Sequence, residues 1–425
     1  MQGVRAPAGR RKRPLGCGTM QRMRAGTGRI RRSRLRRVAA AAAVTAVIGA
    51  GCASHDARGA SSAPSNMRLR QSALTTTRPA TWIGHAFHAP SSAPRIPVPP
   101  PAACAEVRSP LWLGRPANVI ARDGGASANV GGTELWAFSD TVFVPSEGSD
   151  SLRSATAAWA PPAAPTHVVD GGDASCIPTQ FVPYTPAELA FNRAAASPNN
   201  RIALWTHSVI PLDDGSGLLV FGITHFKGDW NFEAMAQGLA IVRPGESQAT
   251  RLPVQLFDAP SPFAATVSAM RDAGFIYLYA CPTRRGYENL CEVARVPVTQ
   301  FMIQSAYQYW NVDAWSSVPP SVATIPGSTA GMSVAWNPRL SEYVALIQPL
   351  GPDVEYRTAP APQGPWSPPR RLFTERAPVT GFNYFIRQHP ELSPDGGRTL
   401  VLTYSRPTMT GPCCEVDVAT AQVEP

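Results

Sequence analysis

Asp123 and Asp140 are the two side chains whose spacing best suits acid–base chemistry. They bound the stretch DGGASANVGGTELWAFSD, with Gly131-Gly132 near its middle. Taking these glycines as the central residues of a tight hairpin, where positive φ costs glycine little, fixes a register. Val130 then faces Thr133, Ser127 faces Trp136, and Asp123 faces Asp140. Directly opposed residues lie about 4.5–5.5 Å apart and point to one face of a sheet. Two adjacent carboxyls push one proton affinity up, so one holds a proton beside an anion, the division of labour that general acid, base or nucleophile chemistry needs. The plainer reading has each aspartate capping a turn, in Asp-Gly-Gly and in Ser-Asp-Thr, by accepting backbone N–H bonds.

Positioning such a pair needs a rigid frame, and the chain is long enough for one large β domain with appendages, or two ordinary domains. It has 425 residues and a formal net charge of +10. Thirteen of the 39 Lys and Arg fall within residues 1–37, which hold no acid, leaving 26 basic against 29 acidic side chains elsewhere. The basicity belongs to a leader, and no nucleic-acid partner is expected for the folded part. RIRRSRLRR (Arg29 to Arg37) runs into VAAAAAVTAVIGAGC, an apolar core shorter than the roughly 20 residues of a spanning helix. Residues 1–52 thus have the layout of an export signal. Gly49-Ala50-Gly51 before Cys52 resembles a lipobox that departs at Gly49, making Cys52 a candidate lipidation site, with plain secretion as the alternative. The expected location is extracellular or in the cell envelope, with membrane contact only through such an anchor.

Six cysteines remain beyond Cys17 and Cys52, an even number suited to an oxidising compartment. Cys281 and Cys291 bracket TRRGYEN between two strand-like runs and are expected to be bridged. Cys413 and Cys414 are adjacent, so each is expected to reach a distant partner such as Cys104 or Cys176. No CxxC or nearby histidine supports zinc.

Residues 53–103 are rich in Ser, Ala, Pro, Thr and Arg and read as a disordered tether, with the folded domain over 104–425. From Cys104 onward, short β-branched and aromatic runs recur between Gly, Pro, Asn and Asp clusters, and only ELAFNRAA (Glu188 to Ala195) suggests a helical turn. Turn residues at Leu212–Gly217, Asn337–Glu342 and Ser393–Gly397 mark hairpins. The class is all-β. So many strands in one domain point to a five-bladed β-propeller, which adds blades about one axis and protects its edges.

GGTELWAFSDT resembles the "G-lyvFGDT" opening of a family of secreted bacterial five-bladed β-propellers long catalogued as a domain of unknown function. RIALWTHSVIPLDDGSGLLVF, GFIYLYAC with CEVARVPV, YQYWNVDAW, GMSVAWNPRLSEYVALI, APQGPWSPPRRLF and HPELSPDGGRTLVLTYS resemble its successive blades, in order, over about residues 104–410. The resemblance implies a fold related to furanoside-processing glycosidases and an activity like that of the family's endo-D-arabinanases. By motif position it assigns catalytic roles to Asp123 and Asp140, with Ser139 standing where the family commonly has Gly.

His389 and Glu391, in QHPEL, would share a face if they alternate along a strand and could bind sugar hydroxyls or supply an acid. Trp205, His207 and Trp310 are candidates for stacking on sugar rings at the propeller mouth, against the alternative of core packing. Glu233 is a further acid candidate. No cofactor is called for; a calcium ion on the propeller axis stays open, since the carboxylates that would bind it are those assigned to catalysis. The expected function is a glycoside hydrolase, acting as a monomer on a furanose-rich polysaccharide such as D-arabinan. The other class open to the sequence is a non-catalytic propeller that binds envelope glycan or protein.

Overall fold

A computed structural model describes residues 106–144, 151–170, 176–228, 231–282, 288–320, 325–408 and 414–423. The export signal, Cys52, the tether, Cys104 and Cys413 lie outside the described residues.

Strands β1 (Glu106–Ser109) and β2 (Trp112–Pro116) come first in the chain. Blade one follows as β3 (Val119–Val130), β4 (Thr133–Phe143), β5 (Leu152–Ala160) and β6 (Val169–Asp170). Blade two is β7 (Arg201–Pro211), β8 (Gly217–Phe226), β9 (Phe232–Val242) and β10 (Thr250–Asp258). Blade three is β11 (Thr266–Asp272), β12 (Phe275–Ala280), β13 (Glu288–Pro297), β14 (Gln308–Asn311) and β15 (Ala314–Ser316), with β16 (Ile325–Ser328) pairing on β13. Blade four is β17 (Met332–Asn337), β18 (Glu342–Ile347), β19 (Asp353–Ala359) and β20 (Arg370–Thr374). Blade five is β21 (Tyr384–Gln388), β22 (Thr399–Pro407) and β23 (Cys414–Gln422), to which β2 and then β1 add as outer strands. The five sheets form the expected five-bladed propeller, with β3, β7, β11, β17 and β21 innermost.

Each blade is covered on both faces, so the middle strands read as near-continuous apolar runs. In β8, Leu218 and Val220 face the core between blades two and three, while Leu219 and Phe221 face that between blades one and two. Similar cores fill the remaining interfaces around Tyr279 and Met332, around Leu346 and Leu402, and around Trp136 and Val416. The last of these cores, between blades five and one, closes the ring. Trp112 of β2 pairs with Asp417 of β23, so an early stretch of chain completes the final blade.

The three expected hairpin turns are present. Leu212 N–H donates to Ser216 O, Leu340 N–H donates to the Asn337 side chain, and Gly397 N–H donates to Ser393 Oγ. The helical turn is a ten-residue helix, α1 (Pro186–Ala195), started by Thr185 in a capping box with Glu188 and by Pro186 in its first turn. The Cys281–Cys291 bridge is formed, and Cys176 is also disulfide-bonded. Cys414 is buried, its sulfur 3.2 Å from the Tyr384 hydroxyl. No helix among the described residues is long and apolar enough to cross a membrane.

Candidate active site

The β3–β4 hairpin turns at Gly131-Gly132 as the residues require, and Val130↔Thr133 and Ser127↔Trp136 pair as expected. The pairing Arg122↔Thr141 continues that register beyond the aspartates, but between them the ladder shifts and Gly124 pairs with Phe138. Gly124 and Gly125 take φ of 90° and 94° through this irregularity. A Cβ on Gly124 would meet Ser139 N at 2.7 Å, and one on Gly125 would meet Val416 at 2.9 Å. The Gly-Gly pair is therefore what lets the backbone bulge here. Its effect is to correct the simple picture of direct opposition: the Asp123 carboxylate reaches across the bulge and accepts the backbone N–H of Asp140 at 2.7 Å.

Asp140 is held by three donors. Ser154 Oγ of β5 donates to Oδ1 at 2.6 Å, while Arg201 at 2.5 Å and Trp205 Nε1 at 3.2 Å, both of β7, donate to Oδ2. Arg201 and Asp140 form an ion pair with side chains 11% and 16% exposed. Removing one partner of such a shielded pair costs about 3–5 kcal/mol, because the other is left alone. Asp123 has a different environment. Tyr384 Oη of β21 donates to its Oδ2 at 2.6 Å. Burial first, and the Asp140 charge second, push the Asp123 carboxyl up to about 7, against the opposing pull of the Tyr384 and Asp140 donors. One acid thus retains a proton near neutrality beside a carboxylate fixed by a guanidinium.

Both aspartates line a cavity of about 400 Å³ at one end of the innermost strands. Trp205, Phe226, Phe232 and Phe385 supply aromatic wall, with Trp205 and Phe232 edge to face at 5.3 Å. Its lining includes Arg387, a buried side chain of β21 that donates to the carbonyls of His207 on β7, Val267 on β11, and Met332 on β17. One guanidinium so ties four of the five inner strands together at the axis. Burial lowers its pKa to about 9. The axial calcium left open by the sequence does not fit these residues. Three of the inward carbonyls, those of His207, Val267 and Met332, are already bound by a fixed cation, and no group of three or more His, Cys, Asp or Glu among the described residues could hold a metal.

Of the residues proposed for stacking, His207 and Trp205 line the cavity. Burial, with the Arg387 charge nearby, pushes His207 down to about 3, so its ring is neutral, and its buried Nδ1 has no hydrogen-bond partner among the described residues. The other candidates lie elsewhere. Trp310 packs on Trp315 at 5.3 Å in the outer strands of blade three, where it contributes to the core. Glu233 is turned outward, 60% exposed, in an ion pair with Lys227 at 2.8 Å. His389 and Glu391 do not alternate along a strand: β21 ends at Gln388 and Pro390–Leu392 form a 3-10 turn. They still meet, on Ser127 Oγ, but His389 is 1% exposed, bonded to Thr403 on its other nitrogen and packed on Trp136, and neither residue lines the cavity. A structural histidine suits that setting.

Arg201, Ser154, Tyr384 and Arg387 are the site residues that sequence reasoning missed. The available signal was weak: an Arg opening the apolar run RIALWTH, and a single Arg inside NYFIRQ. Ser139, at the family's Gly position, is 4% exposed and donates to Thr206 O at 3.3 Å, so its hydroxyl is spent on tying blade one to blade two.

Residues 117–408 match the model of a domain of unknown function, DUF4185. The chain belongs to that family. No curated protein matches it. Among solved structures, this DUF4185 chain is similar to a protein from Bacteroides ovatus ATCC 8483, at 17% identity and a TM-score of 0.51, covering 71% of this chain and 86% of that one. It is also similar to the GH43_1 enzyme from Xanthomonas citri complexed with xylose (14% identity, TM-score 0.42, 75% and 90% covered). A third is the endo-1,5-alpha-L-arabinanase from Thermotoga petrophila RKU-1 (11% identity, TM-score 0.43, 74% and 72% covered). At these identities the likeness is one of fold.

Proposed function

We propose that this DUF4185 protein is an exported glycoside hydrolase acting on a furanose-rich polysaccharide such as D-arabinan. The observation that carries the reading is the Asp123–Asp140 pair: two carboxyls with divergent environments, side by side on the wall of a cavity large enough for sugar. Asp123, whose proton is retained by burial and by its neighbour's charge, serves as general acid to the leaving oxygen. Asp140, oriented by Arg201, Ser154 and Trp205, presents a carboxylate to the positive charge that develops on the sugar ring. Aromatic walls suit the apolar faces of sugar rings. The furanose preference rests on the resemblance of the motifs to a family with endo-D-arabinanase members, and export on the arrangement of residues 1–52.

Incubating the protein with D-arabinan-containing arabinogalactan and following oligosaccharide release tests this reading. Release of oligosaccharides is expected. A folded protein that retains the glycan in a pull-down and releases nothing would instead be a glycan-binding propeller.

A further inference from the structure

Tyr384 Oη carries one proton and lies within hydrogen-bond distance of both Asp123 Oδ2, at 2.6 Å, and Cys414 Sγ, at 3.2 Å. In the second contact either the phenol or the thiol can be the donor. Tyr384 opens β21 and Cys414 opens β23, with β22 between them, so blade five builds this contact against an aspartate of blade one. We propose that the Tyr384 hydroxyl is a two-position switch, with Cys414 as the residue that positions it: the O–H points to Asp123 when that carboxyl is charged and to Cys414 Sγ when it is protonated. The use of the switch rests on the hydrolase reading above, to which it adds how the acid passes between its two states.

Proton counting leads to this switch. Asp123 Oδ1 accepts the Asp140 N–H at 2.7 Å, and an N–H cannot accept in return. Among the described residues, a proton on Asp123 therefore finds an acceptor at Oδ2, in the Tyr384 oxygen. The phenol cannot keep its own proton on the same line, so its O–H turns to the sulfur. When Asp123 gives its proton to a leaving oxygen, the O–H swings back to the carboxylate and the Cys414 S–H points at Oη. No bond to sulfur breaks, and no second proton leaves the group. Tyr384 stays neutral throughout, because burial first, and then the Asp123 charge, hold its pKa well above the usual phenol value. A thiol suits the pivot, since sulfur is a weak donor and a weak acceptor and holds neither position firmly. Cys414 keeps that thiol, at 1% exposure, in a chain whose Cys176, Cys281 and Cys291 are in disulfides. The other groups facing Asp123 are Asp140 of β4 and Arg201 of β7, which act on its charge in opposite senses. Without Sγ, the protonated state leaves a buried O–H donor unmade, while the charged state loses only a weak S–H bond. Loss of the sulfur therefore favours the charged carboxyl, the opposite of losing the Tyr384 hydroxyl itself.

The test is the pH titration of the Asp123 carboxyl in the full chain with isotope-labelled aspartate, read by NMR and assigned by the resonance lost in Asp123→Asn. Cys414→Ala is expected to lower the midpoint by about half a pH unit or more, and Cys414→Ser, which keeps a donor and an acceptor, to stay within about 0.3 of wild type. In a Tyr384→Phe background, Cys414→Ala is expected to move the midpoint by less than about 0.2, because the sulfur acts only through the hydroxyl. An Ala midpoint that stays or rises, a Ser variant that shifts as Ala does, or an equal Ala shift without the hydroxyl overturns the proposal. Infrared difference spectra of wild type read the same point if the Ala variant does not fold. The Cys414 S–H stretching band, identified by its loss in Cys414→Ser, is expected to move to lower frequency as Asp123 ionises, and a stationary band refutes the switch. Neither reading uses substrate, so the expected titrations without any oligosaccharide release would leave the switch standing and remove the hydrolase reading.

Discussion

Tyr384 holds down the proton affinity that burial and the Asp140 charge give Asp123, because a hydroxyl donating to a carboxylate favours its charged form. Its removal in Tyr384→Phe leaves burial and the Asp140 charge with less opposition, so Asp123 holds its proton to higher pH. With Asp123 as general acid, wild-type kcat/KM falls as pH rises through about 7, and in Tyr384→Phe this limb moves up by about one pH unit. A pH–rate profile reads this; an unmoved limb contradicts the role given to Tyr384. At this scale the aspartates were legible because both sit on one hairpin with glycines at its turn, where spacing determines proximity. Tyr384 and Arg201 were not, because they arrive from blades five and two, and contacts across 261 and 61 residues leave no local pattern.

The hairpin also carries a second acid pair at its other end. Glu134 of β4 is 2% exposed and meets Glu391 of the 3-10 turn beside Ser127, and burial followed by the Glu391 charge pushes it up to about 9. The folded state then keeps a proton that the unfolded chain gives up near an ordinary carboxylate pKa. Stability from this group is full below that pKa and falls as pH rises towards about 9. Glu134→Gln removes the dependence, so its melting temperature should exceed that of wild type by a few degrees at pH 9 and by less at pH 5, at roughly 2–4 °C per kcal/mol. Equal melting curves at both pH values would refute this. Element boundaries explain the misreading of His389 and Glu391. QHPEL alternates like a strand, but Pro390 lacks the N–H a ladder needs, and the chain turns at that point. Strand β23 was missed for a related reason, since CEVDVATAQ places acids and alanines where a covered strand usually shows branched apolar residues.

Across the whole molecule, the recurrence of apolar runs between turn residues was readable and was enough to indicate an all-β propeller, although not every strand was found. Ring closure was not readable, because β1 and β2 are short and β2, on which β1 pairs, finds its partner β23 at the far end of the chain. The centre of the ring depends on Arg387. Arg387→Met would strip hydrogen bonds from three carbonyls of neighbouring inner strands and is expected to cost at least about 3 kcal/mol by denaturant unfolding. A loss below about 1 kcal/mol would show that the blades hold their register without it.

The central claim is that Asp140 takes part in bond cleavage, and turnover by Asp140→Asn against wild type on D-arabinan tests it most directly, with the folded state of both checked by their melting curves. The account predicts a fall in kcat of roughly 10²–10⁴-fold with little change in glycan affinity. Turnover within tenfold of wild type would contradict it.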